Sequence, residues 1–200
     1  AVVRLNVDGT LDKSFGPDGS GATGAGQQGY AILALPASKG GGILIGGNYS
    51  SGNSSLFCVT KLKANGAIEE SFGTTGRRAI NFFGKGSTHR VNGIPVDPFD
   101  NVVAAGYGNP GTNSNDTLIV RLTPNGLLDT SFNGTGKAVY DSGLNDAGNG
   151  LSVQGVDGSI YVNGSFQIGT NTRHGSLFSA RRSSQSTDHS IARMRSPTAP

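Results

Sequence analysis

The sequence predicts an all-β protein, and two observations lead to this prediction. Gly is 33 of the 200 residues, charged residues are 14% of the chain, and the apolar residues, 34% of it, occur in short runs. Short apolar runs bounded by Gly, Asn, Asp and Ser are typical of strands. The second observation is a repeat of about 60 residues that holds four such runs. Four antiparallel strands in a unit of this length are typical of a β-propeller blade.

Two motifs define the repeat, and each occurs three times. The first ends in Ser-Phe followed by Gly or Asn, and its phenylalanines are 57 and 60 residues apart: Phe15, Phe72 and Phe132. The second is an apolar strand that ends in Gly, with spacings of 59 and 58 residues: 43–47, 102–106 and 160–164. Spacings that agree this closely indicate a structural repeat.

Each complete unit is predicted to contain four strands. In the first complete unit they are placed at residues 30–35, 42–47, 56–62 and 77–82. In the second they are placed at 92–96, 101–106, 117–122 and 137–140. A tight turn after the third strand is predicted from the pairs Asp8-Gly9, Asn65-Gly66 and Asn125-Gly126, because these residue types accept positive φ.

An acid follows each of these turns, at Asp12, Glu69 and Asp129. The whole motif recurs, and one active site rarely needs three copies of a residue. We therefore predict that the acids cap backbone N–H groups and that the phenylalanine of each motif fills the core. A catalytic role for the acids is the alternative.

The pattern Leu-x-x-Asn/Asp-Gly-x-Leu-Asp-x-Ser-Phe, followed by a Gly-bounded strand, resembles the delta-60 repeat of bacterial proteins over about residues 2–180. The third unit matches best, whereas the second has Ala64 and Glu69 where the family prefers Pro and Asp. The resemblance implies propeller blades and a secreted or cell-surface location in bacteria. It implies no particular reaction, because the family has no settled activity.

The predicted organisation is a repeat segment of residues 1–181 and a tail of residues 182–200. The segment divides into a partial blade 1–27, blades 28–86 and 87–144, and a partial blade 145–181. A propeller closes with four or more blades, so we expect copies of the chain to complete a ring, with a homodimer as the simplest case. The tail lacks the repeat and is expected to be disordered or read out of frame.

Charge and motif content exclude several function classes. Residues 1–172 hold 11 Lys and Arg against 12 Asp and Glu, so the overall charge of +3 comes from residues 173–200 and no nucleic-acid partner is expected. No apolar stretch approaches the roughly 18 residues of a membrane helix. The single cysteine, Cys58, excludes an internal disulfide and is expected to be an inert thiol within a strand. The common nucleophile, zincin and P-loop motifs are absent from the sequence.

One candidate site follows from blade geometry, because the first strand of each blade lines the central channel of a propeller. Alignment of the first strands places two levels of polar residues near the axis: Tyr30, Asn92 and Asn149, then Gln27, His89 and Asp146. Amide and carboxylate oxygens with an imidazole fit Ca²⁺ or another divalent metal. We predict Asn92, Asn149, Asp146 and His89 as metal ligands. The open alternative is that these side chains are hydrated channel-lining groups.

Two functions stay open. The first is an interaction or scaffolding module from a secreted bacterial repeat protein, whose rim residues Tyr30, Gln27 and Tyr107 and variable loops would meet a carbohydrate, a protein or a small ester. The second is a metal-assisted hydrolase of activated esters, phosphotriesters or lactones, with His89 and Asp146 as catalytic groups. No residue pattern demands catalysis, so the interaction module is preferred.

Overall fold

The computed structural model describes residues 1–111, 114–155, 157–168 and 171–176. These residues form thirteen β-strands and one 3-10 turn, Ala37–Lys39, and they contain no α-helix. Blade 1 is partial and has β1 (Val2–Val3) and β2 (Ala22–Thr23). Blade 2 has β3 (Gln28–Ala34), β4 (Ile43–Ser51), β5 (Ser54–Leu62) and β6 (Arg77–Ile80). Blade 3 has β7 (Thr88–Gly93), β8 (Val102–Asn109), β9 (Asp116–Leu122) and β10 (Lys137–Tyr140). Blade 4 has β11 (Asp146–Val153), β12 (Ile160–Ile168) and β13 (Asn171–Ser176).

Consecutive strands within each blade pair antiparallel, as expected for strands joined by short turns. One parallel bridge, Ser55↔Thr88, links the sheets of blades 2 and 3. The predicted four-stranded unit is confirmed for these two blades. The sheets form an open array over the described residues, so blade number and ring closure stay predictions.

The first strand of blade 3 differs from its predicted position at residues 92–96. The strand begins at Thr88 and ends at Gly93, with a bulge between Val91 and Gly93. Pro95 cannot donate to a ladder, which disfavours continuation of the strand through that position. As a result His89, expected just before the strand, is part of it.

The hydrophobic core lies between blades rather than within one sheet. Three separate apolar clusters occupy the three interfaces, and each contains one phenylalanine of the repeated motif: Phe15 between blades 1 and 2, Phe72 between blades 2 and 3, and Phe132 between blades 3 and 4. Neighbouring residues of one strand pack in different interfaces between blades. On β4, Ile45 belongs to the cluster with Phe15, and Leu44 belongs to the cluster with Phe72. The predicted core role of the phenylalanines is confirmed.

The Asn-Gly turns join successive blades in addition to reversing the chain. The backbone oxygen of Asn65 accepts a hydrogen bond from the Gly16 N–H at 2.9 Å, and that of Asn125 accepts one from the Gly73 N–H at 2.8 Å. Gly126 has φ +77°, and a Cβ there would lie 2.7 Å from the Gly73 nitrogen. Glycine is therefore needed for both its backbone conformation and the close approach.

Two sequence predictions lie partly or wholly outside the described residues: the partial blade 145–181, whose description ends at Ser176, and the tail at 182–200. Within the described part of the chain, no helix is long and apolar enough to cross a membrane.

Candidate functional site

The acids of the repeated turn are structural. Asp12 Oδ1 accepts the Ser14 N–H at 2.9 Å, and Asp129 Oδ1 accepts the Ser131 N–H at 3.0 Å, so the predicted capping is confirmed for these two. In the second repeat, Glu69 accepts the Ser71 hydroxyl hydrogen bond at 2.8 Å. Each of these three carboxyls has a lowered pKa, and the serine hydrogen bonds contribute to the lowering in every case.

An arginine completes this turn in two of the three repeats, and sequence reasoning missed it. Arg4 Nε lies 2.7 Å from Asp12 Oδ2, and Arg121 Nε lies 2.7 Å from Asp129 Oδ2. Each guanidinium also lies over the phenylalanine ring of its own repeat, with CZ-to-centroid distances of 4.8 Å for Phe15 and 5.2 Å for Phe132. Arg4 and Arg121 each come directly before the first leucine of the repeated motif, and this recurrence in the sequence could have predicted the ion pair.

His89 is almost completely buried between blades 2 and 3, and both of its ring nitrogens are engaged. Nδ1 lies 2.7 Å from the Ser55 carbonyl oxygen and donates to it, whereas Nε2 accepts the Phe82 N–H at 3.2 Å. The ring stacks on Phe83 at 5.5 Å. Burial lowers the pKa of His89, although the hydrogen bond to Ser55 opposes this. The imidazole is therefore held neutral, and neither nitrogen is free to bind a metal in this arrangement.

Asp146 begins β11 and is completely buried between blades 3 and 4. Its Oδ2 accepts the Ser142 N–H at 2.8 Å, and its own N–H donates to the Asn115 carbonyl oxygen at 2.7 Å. Its Oδ1 has no hydrogen-bond partner among the described residues. The partners of Asp146 are thus separate from those of His89, and the structure does not join the two predicted catalytic groups through any shared contact.

Asp116, which sequence reasoning did not single out, is a further buried carboxyl near Asp146. Burial raises its pKa to about 6, and the charges of Asp141 and Asp146 act in the same direction. The pKa of Tyr140 is also raised, first by burial and then by Asp146 and Asp141. The carboxyls of Asp116, Asp141 and Asp146 therefore form a region of negative charge at one end of blades 3 and 4. No single-sequence signal marked Asp116, because its burial depends on the neighbouring blade.

Among the remaining predicted residues, Asn92 and Gln27 make hydrogen bonds that connect strands. Asn92 Nδ2 donates to the Gly148 carbonyl oxygen at 2.8 Å, which ties the first strand of blade 3 to that of blade 4, while Asn149 on the latter strand is exposed. Gln27 donates to the Ile45 carbonyl oxygen and accepts from Thr60. The exposed Tyr30 ring lies 3.7 Å from Arg90 CZ.

Tyr107 is half-buried on β8, opposite Arg90 on β7 and Thr117 on β9. An open groove of about 320 Å³ lies between blades 2 and 3, where Lys39 and Asp100 form an ion pair at its edge. None of the predicted site residues lines this groove.

No group of three or more His, Cys, Asp or Glu side chains within the described ranges is arranged to hold a metal ion. The predicted axial metal site therefore has no such cluster to support it. Cys58 is completely buried on β5, and burial raises the pKa of its thiol to about 11. A thiol with this pKa stays protonated near neutral pH, as expected for an inert residue.

Comparison with known proteins gives one family match. The family described as a domain of unknown function (DUF5122) β-propeller matches residues 1–15 and 100–132. The first matched segment ends at Phe15, and the second runs from Asp100, two residues before β8, to Phe132, so both contain the repeated motif. No curated protein matches the chain. The chain is therefore an all-β protein with blades similar to those of a β-propeller repeat family.

Proposed function

We propose that the chain is an interaction module that assembles through the faces of its blades. One observation carries this proposal. Leu62 and Leu122, at equivalent positions of the repeat, are 0% exposed, whereas Leu5, at the same position of blade 1, is 57% exposed. The same side chain type therefore lies in a core in two copies and on the surface in the third. Val3 and Leu11, also exposed, extend this apolar surface.

The contacts inside the chain indicate what would cover the Leu5 surface. Leu62 packs in the cluster that contains Phe15 of the preceding blade, and Leu122 packs in the cluster that contains Phe72. The turn beside each leucine also accepts a backbone hydrogen bond from the preceding blade. At Gly9, the corresponding turn position in blade 1, a Cβ would meet nothing within 4 Å. The surface therefore has the form of a blade interface that lacks its partner among the described residues.

A second copy of the chain is the proposed partner, because the other end of the array offers a complementary face. Leu44 and Val103 are buried on the face that each blade turns to the next, whereas Tyr161, at the same position of blade 4, is 40% exposed. Contact between the blade 1 face of one copy and the blade 4 face of another would be heterologous, and such contacts form a ring where the rotation between copies closes. A homodimer is the smallest such ring, and a secreted or cell-surface location in bacteria is part of the same proposal.

The interaction module is better supported than the metal-assisted hydrolase. The hydrolase assigns metal binding and catalysis to His89, whose two ring nitrogens are engaged with backbone groups of blade 2. It stays a prediction, and no observation on the described residues favours it.

The test is the mass of the protein in solution, measured by light scattering after size-exclusion chromatography and by native mass spectrometry. We expect a dimer or larger closed assembly for the unaltered chain and a monomer for Leu5→Asp. Leu127→Asp is the matched control, since Leu127 is 54% exposed but lies in a turn where the other repeats have Thr10 and Ala67. Circular dichroism would verify that both variants fold. A monomeric unaltered chain, or a Leu5→Asp variant that still assembles, would overturn the proposal.

A further inference from the structure

The interfaces on either side of blade 3 are filled by different chemistry at equivalent positions. Between blades 2 and 3, Phe57, Phe82, Phe83 and His89 form a ring cluster in which the Phe57–Phe82 centroids are 5.6 Å apart and the Phe82–His89 centroids 5.8 Å. Between blades 3 and 4, the repeat places much smaller or polar residues at these four positions: Thr117, Ser142, Gly143 and Asp146.

The equivalence of the two clusters is visible in the hydrogen bonds and the strand register as well as in the alignment. The Phe82 N–H donates to His89 Nε2, and at the next interface the Ser142 N–H donates to Asp146 Oδ2. Phe57 pairs with the last residue of β6, and Thr117 pairs with Tyr140, the last residue of β10. Thr117 therefore occupies the position of Phe57 in the repeat. Its side chain lies toward β11, since a Cβ at Gly148, two residues after Asp146, would be 3.1 Å from Thr117 Cγ2.

Two polar atoms in this second cluster lack partners. Asp146 and Thr117 are both 0% exposed, and neither Asp146 Oδ1 nor Thr117 Oγ1 has a hydrogen-bond partner among the described residues. An unpaired buried hydroxyl costs free energy, and an uncompensated buried carboxylate costs considerably more. Asp116 and Asp141 add negative charge within electrostatic reach. None of these three carboxylates forms an ion pair with a described Lys, Arg or His side chain.

We propose that the interface between blades 3 and 4 binds Ca²⁺, with Asp146 Oδ1 and Thr117 Oγ1 as protein ligands. Asp116 and Asp141 supply charge without ligating, in agreement with the finding that no three acids converge as a metal cluster. All the groups offered are oxygen atoms, which hard cations such as Ca²⁺ prefer, and water completes the coordination of a calcium ion readily. Water alone would satisfy the hydroxyl but would leave the carboxylate charge unbalanced.

This site differs from the axial site predicted from the sequence. It uses Asp146 without His89, Asn92 or Asn149. It lies between blades 3 and 4, at the positions that aromatic rings occupy between blades 2 and 3. With only one ligating carboxylate, the expected dissociation constant is about 10⁻⁴–10⁻³ M, the weakest class of calcium sites.

The first experiment measures thermal unfolding of the whole chain at constant ionic strength, in millimolar CaCl₂ and in EGTA. Because Ca²⁺ binds only the folded state, we expect it to raise the melting temperature of the unaltered protein. Asp146→Asn should abolish this shift and, in EGTA, melt no lower than the unaltered protein, since the unpaired charge is removed. Asp18→Asn, which changes an exposed carboxylate in blade 1, should keep the full shift. A melting temperature independent of Ca²⁺, or an equal shift in Asp146→Asn, would overturn the proposal.

A second experiment does not depend on stability. Tb³⁺ can replace Ca²⁺ at oxygen-rich sites and emits when a nearby tyrosine is excited, and Tyr140 lies within electrostatic reach of Asp146. We expect tyrosine-sensitised emission that CaCl₂ displaces. Tyr140→Phe should lose most of the emission but retain the calcium-dependent melting shift, and Thr117→Val should weaken binding. Emission that survives in Asp146→Asn would place the ion elsewhere and refute the site.

Discussion

The ion pair of the repeated turn offers a test of how burial sets the energy of one interaction, because the chain contains it twice. Arg121 and Asp129 have side chains that are 9% and 16% exposed, whereas Arg4 and Asp12 are 36% and 23% exposed. The Nε–Oδ2 distance is 2.7 Å in both pairs, and each acid caps the serine two residues later. The replacements Asp129→Asn and Asp12→Asn therefore remove the same charge from two environments.

The expected magnitudes follow from this geometry. Asparagine keeps an oxygen that accepts the serine N–H, so the turn itself should survive in both variants. Asp129→Asn leaves the Arg121 guanidinium without a counter-charge beside the Phe132 ring. Loss of one partner of a buried pair costs about 3–5 kcal/mol, and the residual exposure of Asp129 lowers our expectation to about 2–3 kcal/mol. For Asp12→Asn we expect a much smaller loss, because solvent screens the exposed pair.

Urea unfolding followed by circular dichroism would measure both losses, with the slope of the transition used to check that the same surface unfolds. The second repeat supplies a control, since Lys61 and Glu69 form no ion pair in the described structure and Glu69→Gln should have little effect. Equal losses for Asp129→Asn and Asp12→Asn would refute the argument that burial of the arginine sets the energy.

Two further predictions concern the turns and the buried histidine. Gly9→Ala and Gly126→Ala both place Ala at positive φ, with strain of about 1–2 kcal/mol. Of the two glycines only Gly126 lies against the preceding blade, so Gly126→Ala should lower the melting temperature more. Equal losses would mean that the contact between Gly126 and Gly73 is not tight. Because burial lowers the pKa of His89, the unfolded chain binds more protons than the folded one below the ordinary histidine pKa, and stability should fall as pH falls through about 6.5. His89→Gln, which introduces the residue that the preceding repeat has at this position, should show a weaker fall over the same range in urea titrations at several pH values. Asp116 has the opposite effect on the pH dependence of stability, since a raised carboxyl pKa favours the folded state as pH falls. This effect is the same in the unaltered protein and in His89→Gln, so it cancels in the comparison. An identical pH dependence in the two proteins would contradict the assigned neutral histidine.

Much of the fold could be predicted from the sequence, because strand periodicity and turn chemistry are local. The strand predicted at 137–140 coincides with β10, and the three Asp-Gly and Asn-Gly pairs place Gly9, Gly66 and Gly126 at positive φ. The error at β7 arose because the pairing of a strand with its neighbour is not a local property. The apolar run after Asn92 hid the fact that Thr88, His89 and Arg90 pair with β8, which depends on the opposite strand.

The candidate site was much harder to predict. The alignment of Gln27, His89 and Asp146 found equivalent positions of the repeat, and the structure places each of them at the beginning of a blade. Their surroundings differ because Phe82 and Phe83 accompany His89, whereas Ser142 and Gly143 accompany Asp146. Ligating ability depends on which atoms already have partners, and that information is absent from residue spacing.

By itself the sequence determined the repeat, the number of strands per complete blade, the tight turns and the residues that fill the core, since each follows from local conformational preference and from apolar periodicity. Only the tertiary structure decided that Leu5 is exposed while Leu62 is buried, that His89 is engaged through both nitrogens, and that Asp146 and Thr117 keep unpartnered oxygens. These properties arise where one blade meets the next. The free energy of a buried polar group is set by neighbours that can be distant in sequence, such as Ser55, which lies 34 residues before His89.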